Sequence, residues 1–360
     1  MDFYRILEVE TKDRNTKKDI IEVFPGFQVV RSIYLMIRGK KFYAIWNSEA
    51  SLWSTDEYDV QRLVDQDLMA YAKKVEERVG QNNVRVKTLG NFSTGLWNKF
   101  QQYTTNLTDN AHQLDERVTF ANSVVKKEDY ASKRLSYNLS EGGIDAYDEV
   151  VGTLFDPTER DKLEWAVGAI LTGDARDIQK FIVLYGPAGA GKSTYIKFFE
   201  WLFEGYTTTF EAKALTSSSN AFSTEVFRHN PLVAIQHDGD LSRIEDNTKL
   251  NSIVSHEDMT MNEKFKSSYT AKIFAFLVMG SNKAVKITDA KSGLIRRLID
   301  VQPSGRKLPE RRYHMLMFQI KLELGAIAHH CIEKYRAMGR DYYSSYKPVE
   351  MMLQTDVFFN

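Results

Sequence analysis

At 360 residues, with 43% hydrophobic and 27% charged side chains, the chain has room for two or three packed domains, and a wholly disordered polypeptide is excluded. Its 48 basic and 48 acidic residues cancel, so it is no polycation, and any nucleic-acid contact must be local. One cysteine, Cys331, excludes an internal disulfide or a multi-cysteine zinc site; with no signal peptide or long apolar run, this points to a soluble protein of the cytoplasm with no membrane partner.

Residues 1 to about 57 alternate short β-like runs with charged turns, Gln28 to Tyr34 and Phe42 to Trp46 and then Leu52-Trp53, which reads as a small β-hairpin element. Trp46 and Trp53 either form a mini-core or stack bases. From Asp59 the spacing turns helical, with Val60, Leu63, Val64, Leu68, Ala72 and Val75 apolar up to Gly80. Further helices are expected over Thr94–Tyr103 and Gln113–Val125, so that residues 1–143 form a mainly helical N-terminal region after the β element.

Gly142-Gly143 reads as a linker. Ile144 to Leu154 is a helix by its spacing, and Asp156-Pro157-Thr158-Glu159 starts another, with an aspartate cap and proline at the first helical position. That helix delivers the chain to Phe181-Ile182-Val183-Leu184-Tyr185, a strand followed by Gly186-Pro187-Ala188-Gly189-Ala190-Gly191-Lys192-Ser193, which matches GxxxxGK[ST] without substitution. A helix over Ser193–Glu204 completes the strand–loop–helix context the pattern needs. The glycines let backbone N–H groups of Gly186 to Thr194 close on a β-phosphate at the positive end of that helix; Lys192 reaches the β- and γ-phosphates, and the Ser193 hydroxyl ligates Mg²⁺. ATP and Mg²⁺ are the cofactors this implies.

Ala221–Arg228 is a short helix, and the apolar strand Leu232–Ile235 then runs into His237-Asp238-Gly239-Asp240. A carboxylate at a strand end about 45 residues after the phosphate-loop lysine suits a magnesium shell and an attacking water, and Asp238 and Asp240 are the candidates. Leu241–Ser255 reads as a helix. Between Lys264 and Lys291 lie six lysines and one acid, Asp289; Lys264-Phe265-Lys266 interleaves an aromatic with this charge, as a single-stranded nucleic-acid contact would, although a solvated surface reads the same way. Strand Ile273–Met279 ends in Gly280-Ser281-Asn282, whose amide can meet a γ-phosphate or hold the lytic water. Arg296-Arg297 precedes strand Leu298–Val301 and can serve as an arginine finger in a neighbouring subunit. From Pro309 the pattern is helical, and the ending after Val357-Phe358-Phe359 reads as an incomplete C-terminal segment. The domain division is 1–143, 144–305 and 306–360.

Five ordered elements in residues 179 to 302 (phosphate loop, acidic strand end, lysine segment, asparagine strand end, arginine pair) resemble the superfamily 3 helicases of DNA viruses and phages, of the poxvirus and phage primase-helicase type. The resemblance implies an α/β fold of AAA+ type, with Gly186 to Ser193 as Walker A, Asp238 as the Walker B acid and magnesium ligand, Asn282 as the sensor and Arg297 as the likelier finger over Arg296. Lys264 and Lys266 would sit on a hairpin lining a DNA channel. It further implies a homo-oligomeric, hexameric ring translocating on single-stranded or forked DNA in an infected or prophage-bearing bacterial cell, with a primase or polymerase on another chain or segment. The family usually has two adjacent acids at the Walker B strand end, whereas His237 precedes Asp238 here, which leaves metal binding and base undivided between Asp238 and Asp240. A nucleotide-switched DNA-binding scaffold or loader is the rival reading. A small-molecule kinase is disfavoured, because no lid-like arginine cluster follows the loop.

Overall fold

A computed structural model describes residues 2–28, 32–38, 41–56, 58–90, 93–104, 112–216, 222–240, 247–262, 268–282 and 293–348. The chain packs as two compact units, Met1–Asp115 with Val124–Lys133, and Glu116–Ser123 with Arg134–Asn360. Gly142-Gly143 lies inside the second unit.

The first unit is mixed rather than mainly helical. It holds β1 (Tyr4–Lys12), β2 (Asp19–Phe27), β3 (Leu35–Arg38), β4 (Lys41–Asn47), β5 (Leu52–Ser54), α1 (Asp59–Val79), β6 (Val84–Val86) and α2 (Ser93–Thr104). β1 and β2 pair antiparallel over their whole length, and β6 adds parallel to β2. β1 is largely half-buried or exposed and carries charge on both faces, Arg5 on one and Glu8, Glu10 and Lys12 on the other, which hides it from a search for apolar runs. The α1 stripe Val60, Val64, Leu68 and Val75 buries against Phe3, Tyr4, Val23 and Ile45. The expected helix over Gln113–Val125 is absent. Asp115 takes a left-handed φ of 59°, its carboxylate accepts the Ser132 amide at 2.6 Å and pairs with buried Lys133, and this local satisfaction outcompetes a helical turn. Trp53 is 2% exposed, packed edge-on to Trp46 and stacked on Tyr130, so the tryptophans form a mini-core.

The second unit contains β7 (Thr119–Phe120), β8 (Arg134–Leu135), α3 (Asp145–Leu154), α4 (Pro157–Thr172), β9 (Phe181–Tyr185), α5 (Lys192–Leu202), β10 (Thr207–Thr209), α6 (Ala212–Thr216), β11 (Val233–Gln236), α7 (Thr248–Val254), β12 (Asp258–Met261), β13 (Tyr269–Lys272), β14 (Phe276–Ser281), β15 (Leu298–Val301) and α8 (Glu310–Met338). Five strands form a parallel sheet in the order β10-β11-β14-β9-β15. Both faces of β9, β11 and β14 are covered, which is why these strands read as apolar runs, whereas β10 is Thr207-Thr208-Thr209 and buried Asp300 interrupts β15. Ile182, Leu184, Val233, Ile235 and Val278 pack in the cluster that contains α3, α4, α5 and α8 residues, whereas Phe181, Val183, Ala234 and Leu277 face Leu215, Leu250 and Ile253 of α6 and α7. Residues alternate between the two clusters with the strand's period of two.

The Ala221–Arg228 expectation shortens to a single 3₁₀ turn at Glu225–Phe227, with residue 221 outside the described set. α8 runs unbroken through Gly325, where the backbone of Asn138 approaches so closely that a β-carbon would clash. Among the described residues no helix is long and apolar enough to cross a membrane.

Candidate functional site

Three parallel strands end together. β11, β14 and β9 are neighbours in register, with Gln236 opposite Met279 and Ser281 opposite Tyr185, so Gly186, Asp238 and Asn282 emerge at one edge of the sheet. The ends are stitched: Gly239 N–H donates to Gly280 O at 2.7 Å, and Gly186 N–H to Ser281 O at 3.2 Å. A β-carbon at Gly280 would stand 2.5 Å from His237 O, so only glycine lets the β11 end come this close. The carboxyl edge of an open parallel sheet is where ligands bind.

The loop between β9 and α5 turns back on itself through Gly189 and Gly191, at φ 74° and 104°, which other residues adopt only with strain. It aims the first turn of the 11-residue α5 into the space at the strand ends, where the first N–H groups of a helix have no intrahelical partner. Ser193 is exposed in that turn, and Thr194 Oγ1 lies 2.9 Å from the Tyr313 hydroxyl of α8.

Lys192 is bent into the site. Its Nζ donates to Gly186 O at 2.6 Å, Pro187 O at 2.8 Å and Asn282 Oδ1 at 2.7 Å, and Asn282 Nδ2 donates onward to Asp238 Oδ1 at 3.3 Å. Burial pulls the Lys192 ammonium below the usual lysine range, with Asp238 pushing the other way. Lys192, Asn282 and Asp238 thus form one polar chain across the strand ends. Asp240 is outside it, 3.4 Å from Lys213 Nζ of α6. His237 points to α5, with Nε2 3.0 Å from Glu200 Oε1. Sequence reasoning missed Glu200, because nothing in a lone carboxylate two turns down an amphipathic helix marks it.

The arginine pair sits at the opposite edge. β15 runs parallel to β9 with Leu298 opposite Phe181, so Arg296 and Arg297 stand beside the root of β9, whereas the phosphate-loop pattern follows its tip. Arg297 is 6% exposed; Nε and Nη2 donate to Ser255 Oγ at 2.9 and 2.6 Å, and Nη1 to Gly293 O at 2.8 Å. Burial lowers its affinity for a proton, Arg296 adds to this and Glu257 opposes it. Reaching a neighbouring molecule would mean giving up three charged hydrogen bonds of about 1.5–3 kcal/mol each. Arg297, the likelier finger by its place before the strand, is thus engaged within its own chain, and Arg296 is the exposed one of the pair. Lys180, at the same edge, donates to Arg296 O at 2.5 Å, and burial first, then Arg296 and Arg297, bring its ammonium down to about 8.

Lys264, Phe265 and Lys266 lie outside the described residues. What is described is their setting, between β12 and β13, which pair antiparallel from Asp258 opposite Lys272 to Met261 opposite Tyr269.

The residues fit a nucleotide with magnesium. A glycine cradle, a helix N-terminus and a lysine meet, and Ser193 and Asp238 supply one hydroxyl and one carboxylate. Among the described residues no three His, Cys, Asp or Glu side chains could hold a metal ion.

Residues 184–297 match a family model described as a family of unknown function, DUF5906. No curated protein matches the chain. Among solved structures it is similar to the NrS-1 C-terminal region in apo form, at 15% identity and a TM-score of 0.43 over 58% of this chain and 53% of that one. An A-form apo structure of the same region gives 14% identity and 0.45, over 62% and 56%. The chain thus spans little more than half of each.

Proposed function

We propose that the chain is the ATP-hydrolysing motor of a DNA helicase in a phage or virus replication system, an AAA+ type P-loop ATPase of superfamily 3 that works on single-stranded DNA as a homo-oligomeric, hexameric ring. The observation that carries this reading is the chain Lys192–Asn282–Asp238 across the ends of β9, β14 and β11, beside a GPAGAGKS loop that opens a helix. In the proposed reaction Lys192 would turn from Asn282 and the loop carbonyls to the β- and γ-phosphates and Asn282 would hold the water or a γ-oxygen; Asp238 and Ser193 would hold a magnesium ion, whose contribution would be charge neutralisation. A partner with primase or polymerase activity belongs to the same proposal.

A nucleotide-switched loader is the second reading, and one observation favours it. With Asp240 turned to Lys213 and His237 to Glu200, Asp238 is the one carboxylate at Asn282 among the described residues. A DNA-stimulated ATPase assay followed by forked-duplex unwinding separates the two. The motor hydrolyses ATP with Mg²⁺, is stimulated by single-stranded DNA and unwinds the fork. Lys192→Ala abolishes turnover with the fold retained, and Lys264→Ala with Lys266→Ala keeps basal hydrolysis while losing DNA stimulation and unwinding. Hydrolysis without unwinding selects the loader; wild-type protein that binds no nucleotide overturns both.

A further inference from the structure

The β12–β13 hairpin is fastened at its foot to the sheet edge opposite the phosphate loop. Ser255 and His256, the two residues after α7, make the attachment. Ser255 Oγ receives two N–H groups of Arg297, whose third nitrogen holds Gly293 O. His256 is buried at φ 54°, with Nδ1 2.7 Å from Ile273 O just after β13, and Nε2 3.1 Å from Ala175 O and 3.2 Å from Ile178 O just before β9. Each fastening ends at the root of a sheet strand. Arg297 immediately precedes β15, and Ala175 and Ile178 precede β9, its parallel neighbour; the far end of β9 carries the loop.

We infer that Arg297 is a coupling residue: through Ser255 it holds the β12–β13 hairpin to the root of β15, so that nucleotide at the far end of β9 is felt in the hairpin. This rests on the proposed nucleotide site and gives Arg297 a role inside its own chain. Its geometry suits the task. A guanidinium presents a rigid fork, and here the fork spans two segments at once, the residue following α7 and the glycine ahead of the 3₁₀ turn Ile295–Arg297. A close-packed sheet does not bend to absorb a displacement at one end of β9, so a shift there passes to the elements fastened at the other end. A lysine would keep the charge and lose the fork, and Ser255→Ala removes the shared acceptor with little loss of volume.

The test is hydrogen–deuterium exchange of the β12 and β13 strand amides, with and without a non-hydrolysable ATP analogue and Mg²⁺, with nucleotide affinity measured alongside. In the wild type the analogue is expected to change hairpin exchange at least twofold. Arg297→Lys and Ser255→Ala should bind the analogue within about threefold of wild type and lose most of that change. Steady-state kinetics give a second readout: basal kcat retained, with the increment from single-stranded DNA reduced. A wild-type hairpin that ignores bound nucleotide overturns the coupling, and so do variants that keep the full response. Absence of nucleotide binding by the wild type removes the proposed function and this inference with it. Ser255→Ala, a one-atom change, keeps the test decisive if Arg297→Lys fails to fold.

Discussion

Lys192 Nζ and Asn282 Oδ1, ninety residues apart in the chain, meet at 2.7 Å. The strand-end amide is therefore one of three partners of the loop lysine, with Gly186 O and Pro187 O, and in the proposed reaction Lys192 would exchange such partners for phosphate oxygens. Asn282→Ala removes this partner and, in the proposed reaction, a group that positions the water. The expected outcome is a split: nucleotide affinity equal to or tighter than wild type, and kcat lower by about 10²–10³-fold, the usual loss for one preorganised polar group. Parallel loss of affinity and kcat would mean that Asn282 only shapes the loop.

Asp238 and Asp240 are two residues apart and face different partners. Asp238 accepts from Asn282, whereas Asp240 is near Lys213 on α6. Asp238→Asn is expected to abolish hydrolysis and keep Mg²⁺-free nucleotide binding, and Asp240→Asn to change kcat less than about threefold, because an exposed ion pair contributes about 0–1 kcal/mol. Turnover assays on the two variants check the order; a larger defect in Asp240→Asn would exchange the roles.

The sheet and its phosphate loop are legible in the sequence because both faces of β9, β11 and β14 are buried, so these strands are apolar up to their last residues, and β15 departs from this only at Asp300. Lys192, Asp238 and Asn282 lie at the ends of such runs, where pattern and chemistry agree. The first unit is less legible. β1 is half-solvated and mixes Arg5, Glu8 and Glu10 with Ile6, Leu7 and Val9, so neither a helical nor a buried-strand pattern stands out. The helix expected at Gln113–Val125 fails because Asp115 finds its partners seventeen and eighteen residues away, at Ser132 and Lys133, which no local pattern reveals. The choice between Arg296 and Arg297 could not be read from adjacency to a strand either. One residue of rotation separates an exposed guanidinium from one locked on Ser255.

Glu164 of α4 is 1% exposed, with Arg160 Nε at 2.6 Å and His330 Nε2 of α8 at 3.1 Å. Burial pushes its carboxyl up, but His330 and Arg160 outweigh burial and hold it below the usual carboxylate range. A depressed folded value means that Glu164 contributes stability above its unfolded pKa of about 4.3, and that the contribution fades as pH falls through the lower folded value. Glu164→Ala is expected to destabilise by about 1–3 kcal/mol at pH 7, since it removes the carboxylate shared by half-buried Arg160 and His330, while Arg160 keeps Asp148. In urea unfolding, the gap between wild type and Glu164→Gln should narrow from pH 7 to pH 3; a gap independent of pH would assign the loss to packing.

Arg296 is the remaining candidate for an arginine acting across a subunit interface. Its side chain is exposed, while its backbone carbonyl is held by Lys180, so the side chain can move without disturbing the root of β15. It stands at the sheet edge opposite its own phosphate loop, a full strand length away, and so cannot reach the nucleotide of its own protomer. If the proposed ring forms, Arg296→Ala should assemble and bind nucleotide but turn over at least about 10³-fold more slowly, the scale of an arginine finger. Mixed with excess Lys192→Ala protein, which is inactive by itself, it should regain activity, because some interfaces then pair an intact loop with an intact arginine. Light scattering establishes that rings form, and exchange of labelled subunits shows that they are mixed. No recovery in mixed rings would remove Arg296 from a trans role. Full activity of Arg296→Ala alone would leave hydrolysis to the groups on one chain, Lys192, Asn282 and Asp238, and would favour the loader over the motor.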